Sequence, residues 1–124
     1  MTINSEPAPN VVAAGILLRS RQGRVLLLRR AGTEDDPGEW ALPGGKLRAH
    51  EDHATAAVRE TLEETGWNPG HAGAQHCRRI RDGVDYTTFY RDGIDEFVPR
   101  LNPEHDAWQW IDPQEALSLG GVND

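Results

Sequence analysis

Several features that would place the chain outside the cytosol are missing from its sequence. Cys77 is the single cysteine among 124 residues, so no intramolecular disulfide can form, and this is typical of proteins in a reducing compartment. No apolar run approaches the ~20 residues that a membrane helix needs. Met1–Asn10 has neither the basic n-region nor the apolar h-region of a signal peptide. These absences predict a cytoplasmic protein that does not associate with membranes.

Positive charge is also scarce. Thirteen Lys and Arg residues face twenty Asp and Glu residues, which gives a formal net charge of −7. Broad binding to nucleic acid or to an anionic membrane needs a basic face, so the charge balance argues against both kinds of partner. A small anionic substrate remains compatible with this charge if metal ions and a few local bases reverse the field at one point.

The patterning of the chain predicts one domain, residues 11–124, preceded by a flexible N-terminal arm, Met1–Asn10, which is rich in proline and small polar residues. Apolar runs rich in β-branched residues predict strands at Val11–Leu18, Val25–Leu28, Trp40–Leu42, Gln75–Ile80, Tyr86–Tyr90 and Ala107–Ile111.

The remaining segments are predicted to be short or irregular. Pro99 makes Phe97–Leu101 an edge strand or an irregular piece, because proline cannot donate to a sheet ladder. Pro113 followed by Gln114–Leu119 predicts a short closing helix. Two Asp-Gly pairs, at Asp82 and Asp92, are interpreted as turns that bracket the strand between them rather than as two metal-binding loops.

A helix is predicted from about His53 to Thr65, with Asp52 as its N-cap and Gly66 as the left-handed residue that ends it. The positions expected to form its buried stripe follow the i, i+3, i+4, i+7 rule: Ala54, Ala57, Val58, Thr61, Leu62 and Thr65. Glu60, Glu63 and Glu64 are expected to gather on roughly the opposite side.

This acidic face lacks the bases that would balance it. Three carboxylates so close destabilise a helix, and negative charge in the C-terminal half also opposes the helix dipole. Arg59 is the only strong base in the helix. A divalent cation resolves the conflict, and Mg²⁺ prefers hard oxygen ligands of this kind. Gly44-Gly45, which follow a proline, allow a backbone carbonyl to approach closely and join the ligands.

The segment Gly45–Trp67 resembles the Nudix box, G-x5-E-x7-R-E-U-x-E-E-x-G-U, in which U is a bulky apolar residue. The matching positions are Gly45, Glu51, Arg59, Glu60, Glu63, Glu64 and Gly66. Thr61 stands at an apolar U position, although its methyl group still suits the buried stripe. Outside the box, Gly38–Gly45 and the Val25–Arg30 strand are also similar to the family.

The resemblance implies an α/β/α sandwich around a mixed β-sheet, and hydrolysis of a nucleoside diphosphate linked to another group. It also implies that Gly45, Glu60, Glu63 and Glu64 bind Mg²⁺, with Mn²⁺ as a substitute, and that Glu51 has a supporting role. Arg59 is expected among the catalytic residues, where it can fix the rotamer of a carboxylate.

Family members usually recruit one more acid from a loop after the box. Glu104, just before the last predicted strand, is the first candidate, and Glu60 and Glu104 have comparable claims to be the base that activates water. Glu96 and Asp95 are the runners-up. The short closing helix implies either a pocket with less wall or completion by a partner subunit, which would make the protein a homodimer.

The substrate is read less directly than the reaction. The signatures of several subfamilies are absent, which leaves a nucleoside triphosphate or a nucleotide sugar as the open choices. Arg29 and Lys46 are candidates for phosphate contacts, and Tyr86 for contact with the nucleotide, although surface and core positions are the alternatives. The histidines show no metal-ligand spacing and are interpreted as surface or hinge residues.

Two other functions remain open. One is a Nudix-like module that binds a nucleotide without catalysis, although such modules commonly lose a box carboxylate and this chain keeps all of them. The other is different metal-assisted chemistry on the same fold, such as isomerisation of an isoprenoid diphosphate, for which Cys77 has no evident partner.

Overall fold

The computed structural model of the protein describes residues 10–119. Residues 1–9, which form most of the predicted N-terminal arm, lie outside the described residues. The elements follow one another along the described part as β1 (Val11–Ser20), β2 (Val25–Arg30), β3 (Trp40–Ala41), β4 (Gly44–Lys46), α1 (His53–Thr65), β5 (Ala74–Arg81), β6 (Val84–Ile94), β7 (His105–Ile111) and α2 (Pro113–Ala116). Neither helix in residues 10–119 has the length and apolar composition required to cross a membrane.

The strands form a mixed sheet. β1 runs parallel to β6 and antiparallel to β4, and β6 continues the sheet to β5. β2 pairs antiparallel with β3 and with β7, and it meets β1 at Arg19 and Val25. The sheet is therefore split into two groups of strands that diverge from the β1–β2 hairpin. In the first group, β4 brings Gly44 and Gly45 against β1.

Both faces of the sheet are covered, as the alternation of side chains along a strand requires. On one face α1 packs through Ala56 and Ala57 on a core that includes Ile16 and Leu28. On the other face Val25, Leu27 and Ile111 form a second cluster, against which Ala116 and Leu119 of the closing segment pack. This arrangement confirms the predicted α/β/α sandwich around a mixed sheet.

The predicted capping of α1 is confirmed. The Asp52 side chain accepts a hydrogen bond of 2.7 Å from the Thr55 N–H, and Gly66 at φ 73° donates its N–H to the Leu62 carbonyl. The helix consequently begins at His53 and ends at Thr65, as the sequence predicts.

The buried face of α1 was predicted incorrectly in part. Leu62 is 41% exposed, whereas Ala56 and Glu64 are 0% and 2% exposed. The buried arc is rotated towards the acidic side of the helix, because the Glu64 carboxylate accepts a hydrogen bond from a main-chain N–H of β4 and is drawn under the sheet edge. Glu64 is thus not on a solvated face, and polar chemistry decides the helix orientation together with apolar packing.

Several strand boundaries also differ from the prediction. β1, β2, β5, β6 and β7 all extend beyond the predicted runs, because pairing with neighbours carries polar residues into the ladder. No strand is predicted at Gly44–Lys46, yet Gly44 and Lys46 pair with Gly15 and Ala13 of β1. Phe97–Leu101 forms no strand, which confirms the irregular alternative, whereas α2 is shorter than predicted.

Only one of the two Asp-Gly turns is confirmed. Asp82 and Gly83, at φ 52° and 77°, form the hairpin turn between β5 and β6. The prediction for Asp92-Gly93 is wrong, because these residues lie within β6. There β6 advances from Arg91 to Ile94 while β1 advances from Leu18 to Ser20, so the pair forms a bulge in the strand.

Gly15 lies where β1, β4 and β6 approach one another closely. A methyl group there would overlap the Tyr86 hydroxyl and lie 2.5 Å from the Pro43 carbonyl oxygen. The Pro43 carbonyl also accepts the N–H of Ile16. Glycine is required here by space, and the position of β4 depends on it.

Gly15→Ala is predicted to destabilise the protein by about 1–3 kcal/mol, because overpacking against main-chain atoms cannot be relieved by a side-chain rotation. Urea denaturation measures the change. Gly32→Ala is the control: a methyl group there meets no atom within 4 Å, and its effect should stay within about 0.5 kcal/mol. Equal stability of the two variants would contradict the close packing of β1 and β4.

Candidate active site

Two acidic residues of α1 contact the glycines of β4. The Glu64 Oε1 atom accepts a hydrogen bond of 2.9 Å from the Gly44 N–H. The Glu60 carboxylate lies beside Gly45, where an added Cβ would be 2.5 Å from its carboxyl carbon. Glycine at position 45 is therefore needed for the close approach of Glu60, and the structure brings together three of the four residues that were predicted to bind metal.

A second segment delivers Glu104 and His105 to the same place. The Ala31 N–H donates to the Glu104 carbonyl at 2.9 Å, and the Glu104 N–H donates to the Asn102 side chain at 3.2 Å. Ligand atoms of Glu64, Glu104 and His105 all lie within 4.8 Å of one another. The loop before β7 thus places one more carboxylate beside the helix, where Glu104 was predicted.

The carboxylates of this cluster are short of positive charge. Burial raises the pKa of Glu64 to about 9, and the charges of Glu60 and Glu104 add to the shift against the opposing Gly44 N–H. Burial also raises the pKa of Glu60, although Arg59 opposes that shift. Carboxylate oxygens that converge in this way fit a hard divalent cation, which would supply the missing charge.

Arg59 ties the helix to the loop before it. Its guanidinium donates to both oxygens of Glu51, at 2.7 and 2.8 Å, and to the Lys46 carbonyl at 3.0 Å. It also donates to Glu60 at 2.7 Å. The hydrogen bond from Arg59 is the largest cause that lowers the pKa of Glu51 to about 2. Arg59 therefore holds the Glu60 carboxylate in one orientation.

Glu63 lies on the outer side of the cluster. Its side chain is 41% exposed and contacts Arg48 at 3.3 Å and Arg59 at 3.4 Å. It does not belong to the tight group of ligand atoms around Glu64. Its role as a metal ligand stays a prediction.

The predicted substrate residues are separated. Arg29 donates to Asp106 at 2.7 Å and lies over the Trp40 ring at 5.8 Å. Since Leu28 faces α1, the alternation of the strand turns Arg29 to the opposite face of the sheet. Lys46 is exposed at the end of β4 and follows Gly45 directly. The structure therefore gives Lys46 the shorter path to the cluster.

Tyr86 occupies the core position that was the alternative to contact with the nucleotide, and that contact stays a prediction. Its hydroxyl lies against Gly15 and Gly44, so much of the ring fills space within the sheet. Burial raises the pKa of Tyr86, and the charges of Glu64 and Glu60 act in the same direction. The neutral hydroxyl is thus close enough to the cluster to sense its charge.

The runner-up acids are engaged elsewhere. Glu96 accepts two hydrogen bonds of 2.7 Å from Arg24 and one of 2.8 Å from Ser20, and the Arg24 bonds lower its pKa. Asp95 pairs with Arg21 at 2.7 Å. Ser20 ends β1 and Arg21 follows it, beyond the part of β1 that pairs with β4, and neither acid belongs to the group of ligand atoms around Glu64.

His105 was missed by the sequence reading, which treated the histidines as surface or hinge residues. For His105 this is wrong: the side chain is 8% exposed, and its Nδ1 atom has no hydrogen-bond partner. Burial is the largest cause that lowers its pKa. The available signal in the sequence was the position of His105 next to Glu104. His105 begins β7, which pairs with the buried strand β2.

Several known proteins are similar to this chain in sequence and in fold. A family model described as the NUDIX domain matches residues 9–124. The chain is 34% identical over 110 residues to the CTP pyrophosphohydrolase of Escherichia coli K12, covering 86% of this chain and 78% of that one. It is 30% identical over 125 residues to an RNA pyrophosphohydrolase of Rhodospirillum rubrum, covering 85% and 74%.

Solved structures agree with the sequence relatives. The crystal structure of the MutT protein from Methanosarcina mazei Go1 matches with a TM-score of 0.75 and 26% identity, covering 96% of this chain and 88% of that chain. A Nudix hydrolase from M. smegmatis matches with a TM-score of 0.75 and 28% identity, covering 91% and 76%.

The raised pKa of Glu64 predicts how metal-free stability depends on pH. Between its ordinary value of 4.5 and the folded value of about 9, the folded state holds a proton that the unfolded state has released. The stability from this proton is fully present below pH 4.5 and is lost as pH rises through 9. Glu64→Gln removes the dependence, so its Tm in EDTA should exceed that of the native protein by more than about 10 °C at pH 8.5.

The two Tm values should converge near pH 5. Glu63→Gln, an exposed acid of the same helix, is the matched control and should not change the pH profile. A Tm difference between Glu64→Gln and the native protein that stays constant from pH 5 to pH 8.5 would contradict the burial of an ionisable Glu64.

Proposed function

The chain belongs to the Nudix family of hydrolases, and we propose that it is a Mg²⁺-dependent pyrophosphohydrolase whose substrate is a nucleoside triphosphate. The observation that carries this proposal is the convergence of Glu60, Glu64 and Glu104 beside Gly45, with the pKa of Glu64 raised to about 9. A cluster that only stabilised the fold would be paired with bases. Here the one adjacent guanidinium, that of Arg59, is already shared among several acceptors.

The proposed metal ligands are the carboxylates of Glu60, Glu64 and Glu104 and the carbonyl oxygen of Gly45, with Glu63 at the outer side. When bound, Mg²⁺ neutralises phosphate charge and acidifies water. Mn²⁺ has similar ligand preferences and is the expected substitute. Glu64 is the central ligand in this proposal, because it is the most buried carboxylate and the Gly44 N–H fixes one of its oxygens.

Glu104 is our choice for the general base, acting through the carboxylate oxygen that does not bind the metal. One oxygen of the Glu60 carboxylate is engaged by the Arg59 guanidinium at 2.7 Å, so Glu60 is less free than Glu104 to meet an incoming water. Glu104 is exposed on a loop whose main chain is fixed by Ala31 and Asn102, so its carboxylate can reach both the cluster and incoming water. In the proposed reaction it accepts the proton of water while the water oxygen bonds to phosphorus and the pyrophosphate P–O bond breaks.

The substrate proposal rests on the relatives and on two neighbouring side chains. The relative named CTP pyrophosphohydrolase favours a nucleoside triphosphate over a nucleotide sugar. Lys46, next to Gly45, is proposed to contact the phosphates, and Tyr86 to contact the nucleotide beside Gly44. Other relatives are named RNA pyrophosphohydrolases, so the triphosphate end of an RNA belongs among the substrates to be tested. The homodimer stays a prediction.

Catalysis is favoured over nucleotide binding alone because the sequence keeps every box carboxylate. We expect the protein to release pyrophosphate or phosphate from CTP or another nucleoside triphosphate with Mg²⁺, and to lose this activity in EDTA. Product release from a nucleotide sugar and from a 5′-triphosphate RNA oligonucleotide is measured for comparison. Tight nucleotide binding without product release would support the non-catalytic alternative.

Glu104→Gln should lower kcat by about 100-fold or more, the usual contribution of a general base. Glu64→Gln should remove most Mg²⁺-dependent turnover while the fold persists. Glu115→Gln, an exposed acid on α2, is the control and should retain native rates. Phosphate release under saturating Mg²⁺ measures all three, and native kcat in Glu104→Gln would exclude it as the base.

Arg59→Lys tests a positioning role. Lysine keeps the charge but cannot bridge Glu51, Glu60 and the Lys46 carbonyl at once. We expect kcat to fall by about tenfold, as for other residues that orient metal ligands, with little change in the nucleotide KM. Arg48→Lys is the control, since Arg48 meets Glu63 only at 3.3 Å through its side chain. An increase in KM at unchanged kcat would instead place Arg59 on the substrate.

A further inference from the structure

His105 has an unmet hydrogen-bonding atom in a buried position. Its side chain is more than nine-tenths buried, and within residues 10–119 its Nδ1 is one of two buried side-chain polar atoms without a partner, the other being Thr61 Oγ1. A buried polar atom without a partner costs free energy, and native proteins rarely leave one without a reason. Metal coordination is a common role of a histidine nitrogen.

The ring is directed at the acidic cluster. One of its nitrogens lies within 4.8 Å of carboxylate oxygens of both Glu64 and Glu104. Its main chain is fixed as well: the His105 N–H donates to the Asn102 carbonyl at 3.3 Å, and His105 pairs with Arg30 of β2. Strand geometry therefore places the imidazole here independently of the box helix.

We propose that His105 is a nitrogen ligand that, with Glu64 and Glu104, forms a divalent cation subsite selective for transition metals such as Co²⁺ and Mn²⁺ over Mg²⁺. This inference rests on the proposed function, because it shares two carboxylates with that site. Imidazole suits borderline metals, whereas Mg²⁺ prefers oxygen donors. The box carboxylates can hold Mg²⁺ without His105, so the histidine changes which ion is preferred rather than whether an ion binds.

Glu60 and Glu63, the other two acids of the cluster, do not take part in this subsite. Glu60 is held by Arg59, and Glu63 lies outside the tight group of ligand atoms. Glu104 and His105 are adjacent in the chain and reach Glu64 from the loop side. A cation bound by Glu64, Glu104 and His105 would therefore bridge α1 and β7, which is a link that oxygen ligands on α1 alone cannot make.

The test is metal binding to metal-free protein without nucleotide. In titration calorimetry, His105→Gln should weaken Co²⁺ binding by about tenfold while Mg²⁺ affinity changes less than about twofold. His76→Gln, an exposed histidine on β5, is the matched control and should bind both ions as the native protein does. Equal losses of Co²⁺ and Mg²⁺ in His105→Gln would overturn the proposal.

A measurement on the native chain removes dependence on how the variant folds. Electron spin echo spectra of bound Mn²⁺ should show coupling to a histidine nitrogen that changes when the protein is labelled with 15N-histidine. Bound Mn²⁺ without such coupling would overturn the nitrogen ligand and leave the proposed function intact. Failure of every divalent cation to bind the native protein would overturn both.

Discussion

The burial of the Glu64 carboxylate is the constraint on which the rest of the site depends. The helix α1 presents it to the sheet edge at 2% exposure, and the Gly44 N–H binds one of its oxygens. That contact fixes the rotation of α1 and the approach of β4. Burying ionisable groups costs free energy unless charge is supplied, so the arrangement is stable at neutral pH only with a proton or a cation.

The surrounding residues keep this unfavourable group in place. Arg59 connects Glu51, Glu60 and the Lys46 carbonyl, and so ties the loop before the helix to the acidic face. Glycines at positions 15 and 44 admit β4 and the Tyr86 hydroxyl where any side chain would collide. Local stability is given up for a rigid arrangement of carboxylate oxygens, which is common at functional sites.

Much of the fold was readable because its signals are local. Asp52 and Gly66 set both ends of α1, and the apolar runs located the strands. What failed depends on contacts between distant segments. Leu62 fits the apolar stripe, yet Glu64 is buried in its place because of a hydrogen bond to β4. β4 itself is Gly-rich and has no strand pattern, and it forms through pairing with β1.

The site divides along the same line. Gly45, Glu60 and Glu64 were predicted together because the box motif fixes their spacing in one short segment. Glu104 was predicted from the resemblance to the family, as an acid on a loop after the box. His105 was not predicted because Glu64, one of the two acids beside it, is about forty residues away in the chain, beyond any spacing rule. The most direct test is calorimetric titration of the native protein with Mg²⁺ at pH 8 in buffers of different ionisation enthalpy, which measures the protons that binding releases. We predict saturable Mg²⁺ binding with proton release in the native protein, and no such proton release in Glu64→Gln. If Mg²⁺ does not bind saturably to the native protein, the account is contradicted.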